Sequence, residues 1–253
     1  LFVNLFDAHL PRSPAPEHVD RFVDDSLTDT ALVTNERAHT FGDGLSDRAM
    51  ERMSQLYDAD IRTMDDRLGD LLETLSAAGA LEDSLVVLVS DHGEHLGEFG
   101  RIGHQHSVFE GVVSVPLAIQ FPDGGPGTVS QQVETRRIFH TILDEAGIET
   151  HPEQSLASGH GDEIACGSFY TPMLDIDALL WRDEIRYDRR LLGERLSFAR
   201  TGDHKLVRFA DEEWLFPLPE REAESLSRND GHELYARLAE RESTARRRPM
   251  PVP

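Results

Sequence analysis

The segment 46–90 constrains the fold more than any other part of this chain. Met50, Met53, Tyr57, Ile61, Met64, Leu68, Leu71, Leu72 and Leu75 recur at steps of three and four, which predicts one apolar stripe on a long helix. Ser46 is suited to cap that helix, Asp47 stands in its first turn, and Gly79 suits its end. LVVLVS follows at 85–90, a short unbroken apolar run of the kind found in strands covered on both faces. Helix, tight turn and buried strand make half of a βαβ unit, so the expected class is α/β. A further strand is predicted at 115–121 (VPLAIQF), followed by the loop PDGGPG. A second amphipathic helix is predicted at 131–146, with Val133, Ile138, Phe139, Ile142 and Leu143 inward and Gly147 stopping it.

Around this frame the pattern is less regular. LFVNLF at 1–6 reads as a buried strand, and DAHLPRSPAPEH breaks it into a Pro-rich loop. The chain opens on Leu inside that strand, so the expectation is a fragment of a longer protein. Residues 13–45 are polar and suggest an excursion with one short helix. Beyond about 150, strand-like pieces at 195–200, 205–209 and 213–218 are parted by turn residues such as Thr201-Gly202-Asp203, as in a small antiparallel sheet. The expected division is therefore an α/β part at 1–150, a small α+β subdomain at 151–240, and an unstructured tail at 241–253. No internal repeat is visible.

A chain of 253 residues suits one large domain or two modest ones. Acidic residues number 47 against 25 basic, a net charge of −22 that repels phosphate backbones and argues against a nucleic-acid partner. Lys205 is the single lysine; salt adaptation and Arg-favouring codon usage account for that equally well. The single cysteine, Cys166, excludes an intrachain disulfide and a cysteine metal cluster, and reads as a small buried residue. No apolar run reaches the roughly 18 residues of a membrane span. The lack of disulfides fits a cytoplasmic protein without requiring one.

Chemistry concentrates just after the run 85–90. His92, His95, His104 and His106 fall within fifteen residues, beside Asp91, Glu94, Glu98 and Glu110. In α/β sheets, ligand crevices lie beyond the carboxyl ends of strands, where this segment begins. Asp91 and His92 offer one cation a carboxylate oxygen and an imidazole nitrogen; a capped turn is the alternative. His104 and His106 alternate as on an extended loop and suit either a ligand or solvent. His9, just before Pro11, is a strand-end site residue or an ordinary loop histidine. The pattern supports a metal-assisted hydrolase.

SDHGEHLGEFG, followed by GHQHSVFEGVVSVPLAIQFP, resembles the sulfatase family of the alkaline-phosphatase-like superfamily. FVNLFDAHLP, YDADIRTMDDRLGDLLETL, VETRRIFHTILDEAGI, FARTGDHKLVRF and EEWLFPLPEREAESLS are similar to family segments in the same order, from residue 1 to about 230. The resemblance implies a mixed or parallel sheet flanked by helices, with a small C-terminal antiparallel subdomain. It implies a divalent cation, usually calcium, held in part by Asp91 and His92. It places His9 on the ester sulfate, and His104, Gln105 or His106 at a basic sulfate-binding position, Gln105 being the match in a gapless alignment. The substrate class implied is a sulfated small molecule or glycan.

Two family features are missing from the sequence: the C/S-x-P-x-R motif whose Cys or Ser becomes formylglycine, and the first pair of metal-binding Asp residues. Formylglycine is therefore expected only in an N-terminal part outside residues 1–253, and the chain alone is expected to be inactive. Phosphoryl transfer or phosphodiester hydrolysis uses the same cation cradle and stands as a second reading. A third is a non-catalytic remnant acting as an acidic binding protein.

Overall fold

The computed structural model describes residues 1–24, 46–98, 102–104, 107–148, 151–169, 195–209, 212–218 and 240. In chain order its elements are α1 (Pro16–Phe22), α2 (Asp47–Ala77), β1 (Val86–Val89), β2 (His95–Leu96), β3 (Ile102–Gly103), α3 (Glu110–Val113), β4 (Leu117–Gln120) and α4 (Arg137–Glu145). Two 3₁₀ turns, Pro152–Gln154 and Leu156–Ser158, lead to β5 (Ala165–Phe169), β6 (Leu196–Arg200), β7 (His204–Phe209) and β8 (Glu212–Pro217). The chain divides into two compact units, 1–105 with 115–125, and 106–114 with 126–253. The expected tail at 241–253 and most of the excursion, 25–45, lie outside the described residues.

In the first unit α2 forms where its periodicity predicts. Ser46 Oγ accepts the Ala49 N–H at 3.2 Å, and Gly79, at φ 71°, closes the other end. The Gly79 N–H reaches the Ser76 carbonyl and the Ala80 N–H reaches that of Leu75, so two end carbonyls are satisfied. The most buried line along α2 is Met53, Leu56, Ala59, Asp60 and Thr63, which includes two polar residues outside the apolar stripe. They are buried because they hold the loop after His9: Ser13 N–H donates to Asp60 Oδ1 at 3.2 Å and Ala15 N–H to Thr63 Oγ1 at 3.0 Å. His18 of α1 meets Asp66 of α2 at 2.7 Å.

Two strand expectations need correction. Residues 1–6 form no strand; Leu1, Phe2, Val3 and Phe6 are exposed, because no described strand lies alongside to complete a ladder. β1 forms as predicted but is not covered on both faces: Leu88 is 45% and Val89 39% exposed. Its described partner is β4, antiparallel, from Val86↔Gln120 to Val89↔Leu117. All described ladders are antiparallel, so the mix of helices and sheets holds while a parallel pair is absent among the described residues.

The second unit is built on the sheet β5-β6-β7-β8. Three of its strands match the predicted pieces; β5, around Cys166, was not foreseen, and Cys166 is half-buried rather than buried. One face packs Phe198, Val207 and Phe216 with Val108; the other carries Ala199, Leu206 and Leu215. Helix α4 starts six residues later than expected, because the backbone at 132–134 is bonded to Asp162 instead of to a helical turn. Its inward face is also different: Phe139 and Ile142 are exposed, and Arg137 and Thr141 are buried. Arg137 donates to the carbonyls of Gln154 and Ser155, and Thr141 Oγ1 accepts the Leu156 N–H, so polar contacts with the 3₁₀ turns orient the helix.

Candidate functional site

The turn after β1 sets Asp91 and His92 side by side. Asp91 is bound back to the chain through Oδ1, which accepts the His92 N–H at 3.0 Å, and its carboxylate is otherwise open to solvent. His92 Nδ1 lies 2.9 Å from the Gly93 carbonyl, an acceptor, so this nitrogen is the one that donates to the protein and Nε2 is the one left for a ligand. Nε2 stands 3.8 Å from Asp91 Oδ2. A carboxylate oxygen and an imidazole lone pair this close can serve one cation together, and the carbonyl on Nδ1 is the outer-shell bond that suits such a ligand. Among the described residues no three His, Cys, Asp or Glu side chains gather as a metal site, and Asp91 and His92 offer two donors.

Two further histidines lie with His92. The His104 ring stacks on His92 at 3.9 Å between centroids, and the His9 ring is 6.4 Å from His104. His104 follows the short β2–β3 ladder, in which His95 pairs with Gly103 and Leu96 with Ile102; that ladder brings the end of the loop back to its start. His9 stands on the loop pinned to α2, its Nδ1 2.5 Å from the Leu10 carbonyl and its ring stacked on Phe6. The Nδ1 of His104 meets Glu94 Oε1 at 3.2 Å. Each of the three rings thus commits Nδ1 to a neighbouring acceptor and leaves Nε2 available.

Beneath them lies a charged layer in which Glu94, one of the acids noted beside the histidines, joins Arg12 and, through it, Asp60, two residues that sequence reading missed. Arg12, with a side chain 1% exposed, donates to Glu94 Oε2, and Glu94 is 8% exposed. The guanidinium also covers the Tyr57 ring at 4.6 Å and faces Asp60, Nε to Oδ2, at 4.0 Å. Burial pushes the Glu94 carboxyl up, but the bond from His104 and the charge of Arg12 outweigh it and hold the group below its usual value. Burial pushes Asp60 up to about 6, against the Ser13 N–H and Arg12, which pull it down. Burial and the charge of Glu94 likewise raise Tyr57. Arg12 sits three residues after His9 in a Pro-rich loop, and nothing in its local pattern marks it as buried.

Of the other sequence candidates, His106 and Gln105 lie outside the described residues. His95 is buried, with Nδ1 3.8 Å from Glu98, and belongs to the packing of its ladder. Glu110 lies in the second unit, where it pairs with Arg200 and Lys205. No described helix is long and apolar enough to cross a membrane.

Residues 9–148 match the family described as Sulfatase. The chain is 34% identical over 104 residues to a choline-sulfatase of Rhizobium meliloti, covering 41% of this chain and 20% of that protein. It is 32% identical over 117 residues to a multifunctional alkaline phosphatase superfamily protein of Trinickia caryophylli, covering 43% of this chain and 22% of the relative. The solved phosphonate monoester hydrolase of Silicibacter pomeroyi superposes with a TM-score of 0.63 at 24% identity, over 82% of this chain and 43% of its own. The chain therefore spans about a fifth of these curated relatives and under half of the solved structure.

Proposed function

The chain belongs to the sulfatase family, and from that premise we propose that it supplies part of the active site of a metal-assisted sulfate-ester hydrolase. The observation that carries this reading is the set of three imidazoles, His9, His92 and His104, with Nδ1 bound to the protein and Nε2 left over. In the proposed assignment Asp91 and His92 share a divalent cation, calcium by family resemblance, with acids from outside residues 1–253. The chemistry a divalent cation supplies at such a site is polarisation of a sulfuryl oxygen.

His9 and one of His104, Gln105 and His106 hold the remaining sulfuryl oxygens, a histidine there acting as an imidazolium whose Nε2–H donates toward charge that grows during attack on sulfur. The nucleophile is a formylglycine outside these residues, since the sequence holds no C/S-x-P-x-R. The substrate class is a small sulfate ester or a sulfated glycan; the choline-sulfatase relative supports the former. A second reading, turnover of phosphate or phosphonate esters by the same groups, is favoured by the alkaline-phosphatase-superfamily relative.

The test is to assay the native polypeptide carrying this sequence on p-nitrophenyl sulfate, bis-p-nitrophenyl phosphate and a phenylphosphonate monoester. The expected result is preference for the sulfate, abolished by chelation and lowered about 10²–10³-fold by His9→Ala or His92→Ala. Preference for a phosphorus ester selects the second reading. Full activity in both variants removes the site assignment.

A further inference from the structure

We propose that Arg12 and Glu94 form a positioning pair that sets the His104 ring for the reaction, a role that rests on the sulfatase reading for its substrate but not for its geometry. Neither residue is needed to hold the cation in the proposed assignment. Both are buried, and they are joined to each other: Arg12 Nη2 donates to Glu94 Oε2, while the other oxygen of the same carboxylate, Oε1, receives Nδ1 of His104 at 3.2 Å. Each oxygen of Glu94 has a separate task, one to be held and one to hold.

Arg12 is itself immobilised from three sides. It donates to the Ala8 carbonyl, lies over the Tyr57 ring at 4.6 Å, and faces Asp60 at 4.0 Å. A carboxylate clamped at one end and bonded at the other fixes the rotation of the imidazole it touches, whatever the charge of that ring. For His104 the consequence is a ring stacked on His92 at 3.9 Å with Nδ1 turned inward and Nε2 left for a ligand. Without the clamp the ring turns about its χ2 torsion, which is broad and has no preferred staggered minimum. The anion-binding nitrogen is then in place for only a fraction of the time.

The test is a double-mutant cycle in the native polypeptide carrying this sequence, followed by kcat and KM on p-nitrophenyl sulfate and by the thermal midpoint. Glu94→Ala and Arg12→Met should each lower kcat about 10–100-fold, with the thermal midpoint of each variant measured alongside. Glu94→Gln, whose single amide oxygen can accept from Arg12 or from His104 but not from both, should recover only part of the Glu94→Ala loss. In a His104→Ala background the same two substitutions should change kcat less than about twofold, because the residue they act through is gone. Equal losses in both backgrounds overturn the proposal, since a merely structural role does not depend on His104.

A second measurement needs no activity. Nitrogen-15 spectra of histidine-labelled protein, recorded well above the ordinary imidazole titration range, report which ring nitrogen of His104 carries the proton. The expected signal is an Nδ1–H ring in the wild type and its loss in Glu94→Ala. An unchanged ring in Glu94→Ala overturns the positioning role. If p-nitrophenyl sulfate is not turned over at all, the sulfatase reading fails by itself and the ring signal still decides this one.

Discussion

Lys205 and Glu110 should respond to substitution with opposite severity, although they are partners in one ion pair. The Lys205 side chain is fully buried, with Nζ 2.9 Å from Glu110 Oε1 and 4.9 Å from the Phe198 ring centroid. Glu110 is 20% exposed and is also paired with Arg200 through its other oxygen. The two cations come from directly paired positions on β6 and β7, so one carboxylate serves both. Lys205→Met removes a buried charge, fills the stem volume, and leaves Glu110 with Arg200 and water; the lost charge-assisted bond is offset by a lower desolvation cost, so the net is within about 1 kcal/mol. Glu110→Ala instead leaves the ammonium buried without that carboxylate, at a cost of about 3–5 kcal/mol. At about 2–4 °C per kcal/mol, the midpoint of thermal unfolding falls by about 6–20 °C for Glu110→Ala and by under about 4 °C for Lys205→Met. The double variant should be more stable than Glu110→Ala alone. Calorimetry on the three variants decides the matter: a Lys205→Met loss equal to that of Glu110→Ala, or no recovery in the double variant, refutes the reasoning.

Asp60→Asn should stabilise the protein near neutral pH and not in acid. The folded-state value of about 6 lies above the ordinary 3.8, so the native state binds the extra proton and loses stability as pH rises between those two values. Asparagine keeps an acceptor for the Ser13 N–H and removes the charge, for a gain of about 1–3 kcal/mol above that window and none below it. Urea melts at two pH values on either side test this, and an equal gain at both contradicts it. Gly167→Ala should cost about 1–3 kcal/mol, because an added Cβ meets Phe198 Cε1 at 2.4 Å and Cζ at 2.8 Å in the packed face of the sheet. Adding Phe198→Leu should return part of that loss in the same melts, and a neutral Gly167→Ala shows that the ring has room to move.

Local signals carried far in this chain where the physics is local. The three- and four-residue spacing, a capping serine and a glycine at positive φ suffice for α2, since helix bonds close within four residues. Alternation and turn residues suffice for β6, β7 and β8, whose paired neighbours lie close together in the chain. Asp91, His92, His104 and His9 were legible as candidates from residue type and position after an apolar run, and the structure brings three of their rings within 3.9 and 6.4 Å.

Burial was decided only by tertiary contact. Apolar runs at 1–6 and 86–89 carry the same signal whether or not something covers them, and here the first stands mostly exposed and the second only half-covered. Phe139 and Ile142 satisfy a helical period and yet face outward, because Arg137 and Thr141 make the contacts that set the rotation of α4. Arg12, Asp60 and Glu94 come from a loop, a helix and a turn up to 82 residues apart, and their meaning arises from that meeting. A charge can be buried only where a partner waits, and residues distant in the chain reveal their partners only once it has folded.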